Sequence, residues 1–155
     1  MKSTIRHATP DDIEAIVEMG KAFFEESPFA SISSWDEGSF QLTVLSLLSG
    51  SAQGGLLVAE DDGKLVGMAA YVIFPLYFNL QTKMAQEVFW WCRPSHRKGI
   101  GGSLLDELER EAMRNGAMVF LSANLAGPRD EAFGRLYQRR GYAPSENIFM
   151  RRLSS

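Results

Sequence analysis

Cys92-Arg93-Pro94-Ser95-His96-Arg97-Lys98-Gly99-Ile100-Gly101-Gly102-Ser103-Leu104-Leu105 is the stretch on which the fold turns. Before it, the aromatic run from Glu87 to Cys92 reads as a strand that ends at Arg93-Pro94. After it, Gly99 to Asn115 reads as a helix. Ile100, Leu104, Leu105, Leu108 and Ala112 form its apolar stripe, Asp106, Glu107, Glu109, Arg110 and Arg114 face water, and Gly116 stops it. Between strand and helix lies a basic, glycine-rich turn. The first turn of a helix carries unpaired N–H groups and partial positive charge. Glycines let a ligand approach that backbone, and Arg97 and Lys98 add charge at the rim. Glycine is also a poor helix former, so three in four positions need a reason other than helix stability. Together these features describe a phosphate or pyrophosphate site.

Other anion motifs fit less well. A P-loop ends in Gly-Lys-Ser/Thr, whereas Lys98 precedes the glycines. The dinucleotide fingerprint Gly-x-Gly-x-x-Gly meets Leu104 where its third glycine belongs, and the turn lies mid-chain after a hairpin.

Working outward, Lys2 to Ala8 reads as a strand. Thr9-Pro10-Asp11-Asp12 opens a helix whose face is Ile13, Ile16, Val17, Gly20, Phe23 and Phe24. Residues 27–38 form a loop, Glu37 to Leu48 a second helix, and Ser49 to Gly55 a small-residue loop. Leu56 to Phe74 is a hairpin turning at Glu60-Asp61-Asp62-Gly63-Lys64, and Pro75 to Thr82 is an aromatic loop. Met118 to Ser122 is a short strand, Arg129 to Arg140 a helix closed by Gly141, and Tyr142 to Leu153 one or two final strands. This order predicts a single α/β (α+β) domain over residues 1–155 with a mixed sheet and helices on both faces.

The turn and its surroundings resemble the GNAT superfamily, the Gcn5-related N-acetyltransferases. That family's pyrophosphate motif is Gln/Arg-x-x-Gly-x-Gly/Ala, and His96-Arg97-Lys98-Gly99-Ile100-Gly101 matches both glycines, departing at His96. Leu136-Tyr137-Gln138-Arg139-Arg140-Gly141-Tyr142 resembles the family's Leu-Tyr-x-x-x-Gly-Phe/Tyr signature, and the opening strand, first helix start and hairpin also correspond.

The resemblance implies a mostly antiparallel sheet of six to seven strands and acetyl-CoA (coenzyme A) as co-substrate. The carrier's pyrophosphate would lie at Arg97, Lys98, Gly99, Ile100, Gly101, Gly102 and Ser103. Its pantetheine arm would follow Phe89-Trp90-Trp91-Cys92, with an N–H near Trp91 or Cys92 facing the thioester oxygen. Asn124 either hydrogen-bonds the carrier or serves its own turn. Many relatives dimerise, and the late strands offer a homodimer interface.

Acyl transfer to an amine needs a proton acceptor, an oxyanion donor, an acid for the leaving thiolate and aligned substrates. Tyr137 occupies the position of the tyrosine that often serves as the acid in the family, with a packing role as the equal alternative, and Phe133 replaces the family's usual alanine four positions before it. Glu87, at the start of the central strand where related enzymes often place a carboxylate that acts through water, is the candidate base, since burial among aromatics would raise its pKa; the alternative is a solvated strand-end glutamate. Trp90, Trp91, Tyr77, Phe78, Phe29 and Trp35 are candidates for an acceptor pocket as well as for core. Cys92 has no neighbouring base and reads as a small buried residue. His7 and His96 lack ligand-spaced partners, so no metal is expected.

The composition agrees. Sixteen Lys and Arg against nineteen Asp and Glu give a net charge of −3, which argues against a dedicated nucleic-acid binder. One cysteine and a polar start suggest an intracellular, cytoplasmic protein, and no apolar run reaches the ~18 residues of a membrane helix. The expected reaction is acetyl transfer to a primary amine in a ternary complex. A small-molecule acceptor is favoured by the absence of an added recognition domain, with a protein amine as the alternative. A non-catalytic acyl-CoA-binding module and a nucleotide-binding protein remain as rival readings.

Overall fold

The computed structural model describes residues 3–50 and 53–154. The expected strand start at Lys2, and Ser51 and Ala52 of the small-residue loop, lie outside the described residues. The elements are β1 (Thr4–His7), α1 (Ile13–Glu26), α2 (Glu37–Ser49), β2 (Gly54–Asp61), β3 (Lys64–Leu76), β4 (Asn79–Cys92), α3 (Arg97–Arg114), β5 (Val119–Leu121) and α4 (Asp130–Arg139). The strands form one sheet in chain order. Pairing is antiparallel from β1 through β4 and parallel between β4 and β5.

Each face of the sheet has its own core. Ile16 and Met19 of α1 and Val44 and Leu47 of α2 pack with Leu56, Val58, Met68 and Phe89 on one face. Leu104, Leu108 and Ala112 of α3 pack with Leu57, Val66, Ala69 and Tyr71 on the other. The stripe expected on α3 is the buried one, because Leu104, Leu105, Leu108 and Ala112 are all at most 1% exposed. The helices α1 and α2 touch through Gly20, where an added Cβ would lie 2.2 Å from the Phe40 ring. Arg6 ties the first strand to its neighbours through Asp12 at 2.8 Å and Glu60 at 2.9 Å, and its guanidinium holds the Asp12 carboxyl below the usual carboxylate range.

Two expectations are corrected. The sheet has five strands among the described residues, where six to seven were expected, because residues 143–154 form none. That segment has one apolar run, Ile148 to Met150, among Pro144, Ser145, Glu146 and Asn147, so it has no alternating face to bury. The expected loop from Pro75 to Thr82 is instead the end of a long hairpin, with β3 and β4 joined at Tyr77-Phe78. Beyond Pro75 and Met84 this hairpin projects from the sheet as a ribbon with its side chains mostly exposed, so its sequence there has no alternating buried face to reveal it. Pro75, opposite Lys83, is tolerated on such a ribbon.

Candidate active site

The helix α3 is interrupted near its start. Lys98 (φ −77°, ψ 112°) and Gly99 (φ 91°, ψ −49°) are non-helical, and the regular helix continues from Ile100. Gly99 sits in the left-handed region that other residues rarely occupy, so glycine is required there. The kink makes a fresh helix N-terminus, with its unpaired amides, at the position the sequence indicated. Trp90 Nε1 donates to the Gly101 carbonyl at 2.9 Å and pins this turn to β4. Gly102 and Ile100 are half-buried, and Ser103 is exposed.

The basic side chains around the turn point in different directions. His96 reaches Asp61 at 3.2 Å, and Lys98 is exposed. Arg97 donates to Glu26 and to the Cys92 carbonyl. Arg140, which the sequence reading did not assign to this site, lies over Gly102. An added Cβ on Gly102 would be 2.5 Å from Arg140 Nη2, and Asp106 holds the guanidinium at 3.0 Å.

Beside this turn the sheet opens. The strands β4 and β5 pair only from Met84 to Gln86, against Val119 to Leu121. Among the described residues, the outer edge of β4 has no strand partner from Glu87 onward. The divergence coincides with a bulge: Tyr71 pairs with Glu87 and Ala70 with Phe89, leaving Val88 as the extra residue. The result is an open groove bounded by β4, β5, α3 and α4, part of a space of ≈ 2510 Å³ that the end of α1, Pro28, Phe29 and the segment from Ala143 to Arg151 also line.

The backbone direction along the groove follows from one bond. Arg93 N–H donates to Val66 of β3 at 2.8 Å. Across a trans peptide the preceding Cys92 carbonyl points the opposite way, into the groove, and it meets Arg97 there. Alternation in the antiparallel ladder then turns the N–H and C=O of Cys92 and Trp90 toward the groove and those of Trp91 toward β3. Of the two amides expected near the thioester, the Cys92 N–H is therefore groove-facing and the Trp91 N–H is not.

At the other end of the groove the candidate acid and base come together. Glu87 accepts from the Ala123 N–H at 3.3 Å, and Tyr137 Oη shares a hydrogen bond with Ser122 Oγ at 3.1 Å. Burial pushes the Glu87 carboxyl up to about 7, against the opposing Ala123 amide. Burial also raises the Tyr137 phenol to about 12. The nearby Glu87 charge adds to that rise and the Ser122 bond opposes it. Tyr137 is wedged among Trp90, Phe133 and Tyr142, with ring centroids 5.1–6.4 Å away. Ser122 and Ala123 were missed in the sequence, where a short strand end carries no sign of what faces it.

The remaining candidates divide. Asn124 spends its amide on Asp130 at 3.0 Å and on the Leu125 carbonyl, within its own loop. Cys92 is buried, and burial raises its thiol to about 11. Trp90, Trp91 and Phe29 line the groove. Tyr77 and Phe78 instead lie against each other, rings tilted, at the exposed hairpin tip, and Trp35 packs between Phe24 and Phe40. Among the described residues no group of three or more His, Cys, Asp or Glu is placed to hold a metal, and no helix is long and apolar enough to cross a membrane.

Comparison with known proteins matches residues 16–142 to the family model described as Acetyltransferase (GNAT) family. No curated protein matches the sequence. Solved structures share the fold over nearly the whole chain at low identity. One is a predicted acetyltransferase with acetyl-CoA from Clostridium acetobutylicum (16% identity, 98% of this chain and 97% of that chain, TM-score 0.74). Another is a ribosomal-protein-alanine N-acetyltransferase from Brucella melitensis biovar Abortus 2308 (20%, 99% and 100%, TM-score 0.73). A third is an aminoglycoside acetyltransferase from an uncultured soil metagenomic sample (19%, 99% and 100%, TM-score 0.74). At these identities the likeness is one of fold.

Proposed function

The chain belongs to the acetyltransferase (GNAT) family, and from that premise we propose that it moves an acetyl group from acetyl-CoA to a primary amine of a small molecule, by direct attack in a ternary complex. The observation that carries the proposal is the free edge of β4. It runs from the kinked start of α3 at one end to the Glu87–Tyr137 pair at the other.

The carrier's pyrophosphate takes the amides that follow Gly99, from Ile100 to Ser103, with Arg97, Lys98 and Arg140 as nearby cations. Its arm runs along β4 as an added strand, meeting the groove-facing groups of Cys92 and Trp90. Asn124 supports the loop that closes the groove.

Chemistry follows at the bulge. The amine nitrogen attacks the thioester carbon, the C–S bond breaks, and a groove-facing amide of β4 holds the developing oxyanion. Glu87, ionised in about half the molecules at its raised pKa, takes the proton the amine gives up, directly or through water. Tyr137 stays protonated at neutral pH and donates a hydrogen bond to the leaving sulfur. A phenol at about 12 is a weaker acid than an ordinary thiol at ~8.5, so Tyr137 stabilises the departing thiolate by its hydrogen bond and keeps its proton, and the thiolate is protonated from solvent after it leaves.

The small-molecule reading draws on the aminoglycoside enzyme among the fold's relatives, while the ribosomal-protein enzyme shares that fold equally. The test follows free thiol release from acetyl-CoA across small-molecule amines and a peptide with an N-terminal alanine. Release dependent on a small amine supports the proposal. Release with the peptide alone moves the acceptor to protein, and tight acetyl-CoA binding without any acceptor-dependent release removes the catalytic reading.

A further inference from the structure

Two helix ends near the groove carry charges that oppose their own dipoles. The helix α1 finishes at Glu26, an anion at a negative end, and Arg97 stands just ahead of the kink from which the regular part of α3 starts at Ile100, a cation near a positive end. They neutralise each other. Arg97 Nη2 donates to both Glu26 oxygens at 2.9 and 2.8 Å. The same guanidinium donates through Nε to the Cys92 carbonyl at 3.1 Å and lies 5.9 Å from the centre of the Trp91 ring. Trp91 Nε1 in turn donates to Glu26 at 3.1 Å.

The location gives this cluster its meaning. The Cys92 carbonyl faces the groove, so the Arg97 side chain lies across the track proposed for the pantetheine arm and uses an acceptor that an arm amide would need. Gly99, where the proposed phosphate site begins, is two residues further along the chain. A bound pyrophosphate offers Arg97 more negative charge than one partly exposed carboxylate does, and it lies at the end of α3 where Arg97 is otherwise misplaced.

We infer that Arg97 is a two-position switch, held on Glu26 while the groove is empty and transferred to the phosphates when the carrier enters. Glu26 is then a positioning residue that competes for Arg97 and so sets carrier affinity. The transfer also releases the Cys92 carbonyl, so charge recruitment and clearing of the track are one movement. This inference rests on the acetyl-CoA reading of the groove.

The test is a double-mutant cycle in full-length protein, with CoA binding measured by calorimetry on wild type, Glu26→Gln, Arg97→Gln and the double variant. Glutamine at 26 keeps an acceptor for the Trp91 indole, and melting curves without CoA show whether each variant folds. The switch requires Glu26→Gln to bind CoA about fivefold tighter or more. It requires Arg97→Gln to bind about tenfold weaker, and Glu26→Gln to have no effect once Arg97 is gone. Unchanged or weaker binding by Glu26→Gln overturns it, as does an equal Glu26→Gln effect in both backgrounds. If none of the four proteins binds CoA, the carrier reading falls and takes the switch with it. As a second measurement, the Trp91 indole N–H resonance, assigned with Trp91→Phe, should shift when CoA is added to wild type but not to Arg97→Gln. A resonance that stays fixed in wild type contradicts the transfer.

Discussion

Replacing Glu87 by glutamine removes the candidate base while keeping an oxygen for the Ala123 amide. Burial lifts the Glu87 carboxyl from the ordinary 4.5 to about 7. A single group titrating there is about one-tenth ionised at pH 6 and about nine-tenths ionised at pH 8. If only ionised Glu87 accepts the proton, its contribution to kcat/KM rises about tenfold over that interval and then levels. The acceptor amine titrates as well and loses its own proton over the same range. The useful quantity is therefore the ratio of wild-type to Glu87→Gln kcat/KM, in which the amine's ionisation cancels. Thiol release at saturating acetyl-CoA, from pH 5.5 to 9, gives that ratio directly. It should climb through about 7 to a plateau of about 10²-fold or more, the usual contribution of a positioned base. A ratio that is flat across pH 6 to 8 refutes the assignment, whatever the size of the loss.

Further outcomes follow from the same geometry. Because the folded-state pKa of Glu87 is raised, the stability it contributes is present below about pH 4.5 and is lost as pH rises through about 7. Glu87→Gln should therefore melt higher than wild type at pH 8 and equally at pH 4, by scanning calorimetry. Tyr137→Phe removes the donor to sulfur but not the ring wedged among Trp90, Phe133 and Tyr142, so kcat should fall while CoA affinity changes little. An unchanged kcat would take Tyr137 out of the reaction. At Gly101 an added Cβ meets Trp90 at an ordinary 3.7 Å, so Gly101→Ala should melt near wild type, whereas Gly101→Glu should lose CoA binding through like charge. Retained affinity in Gly101→Glu would displace the phosphates from this turn. Gly20→Ala drives a methyl into the Phe40 ring and should cost about 1–3 kcal/mol in a denaturant titration, with no direct effect on CoA binding.

Much of the molecule was readable from the chain because its signals are local. The stripe Leu104, Leu105, Leu108, Ala112 needs only the 3.6-residue period to declare a buried face. Gly99 marks its kink because few other residues tolerate its backbone angles, and the order of hairpin, strand, basic turn and helix limits the architecture to a mixed two-faced layer. The ribbon from Leu76 to Lys83 escaped because its side chains are mostly exposed and its pairing rests on main-chain bonds, which are open to almost any residue. The late strands, expected over Tyr142 to Leu153 in keeping with the family's larger sheet, fall on a segment without alternation that finds no partner among the described residues.

The chain by itself determined the fold class and the position of the glycine-kinked helix start, and it nominated Glu87 and Tyr137 as candidates for the proposed chemistry. Only the tertiary structure decided that the Glu87 charge lies near enough to act on Tyr137, that β4 and β5 part company after Gln86, that Cys92 rather than Trp91 turns its amide to the groove, and that Arg97 rests on Glu26. The physical reason is one of range. Periodicity, capping and glycine angles act over a few neighbouring residues and leave their mark in sequence, whereas a strand's register, its bulge and an ion pair spanning 71 positions depend on which surfaces the folded chain presses together.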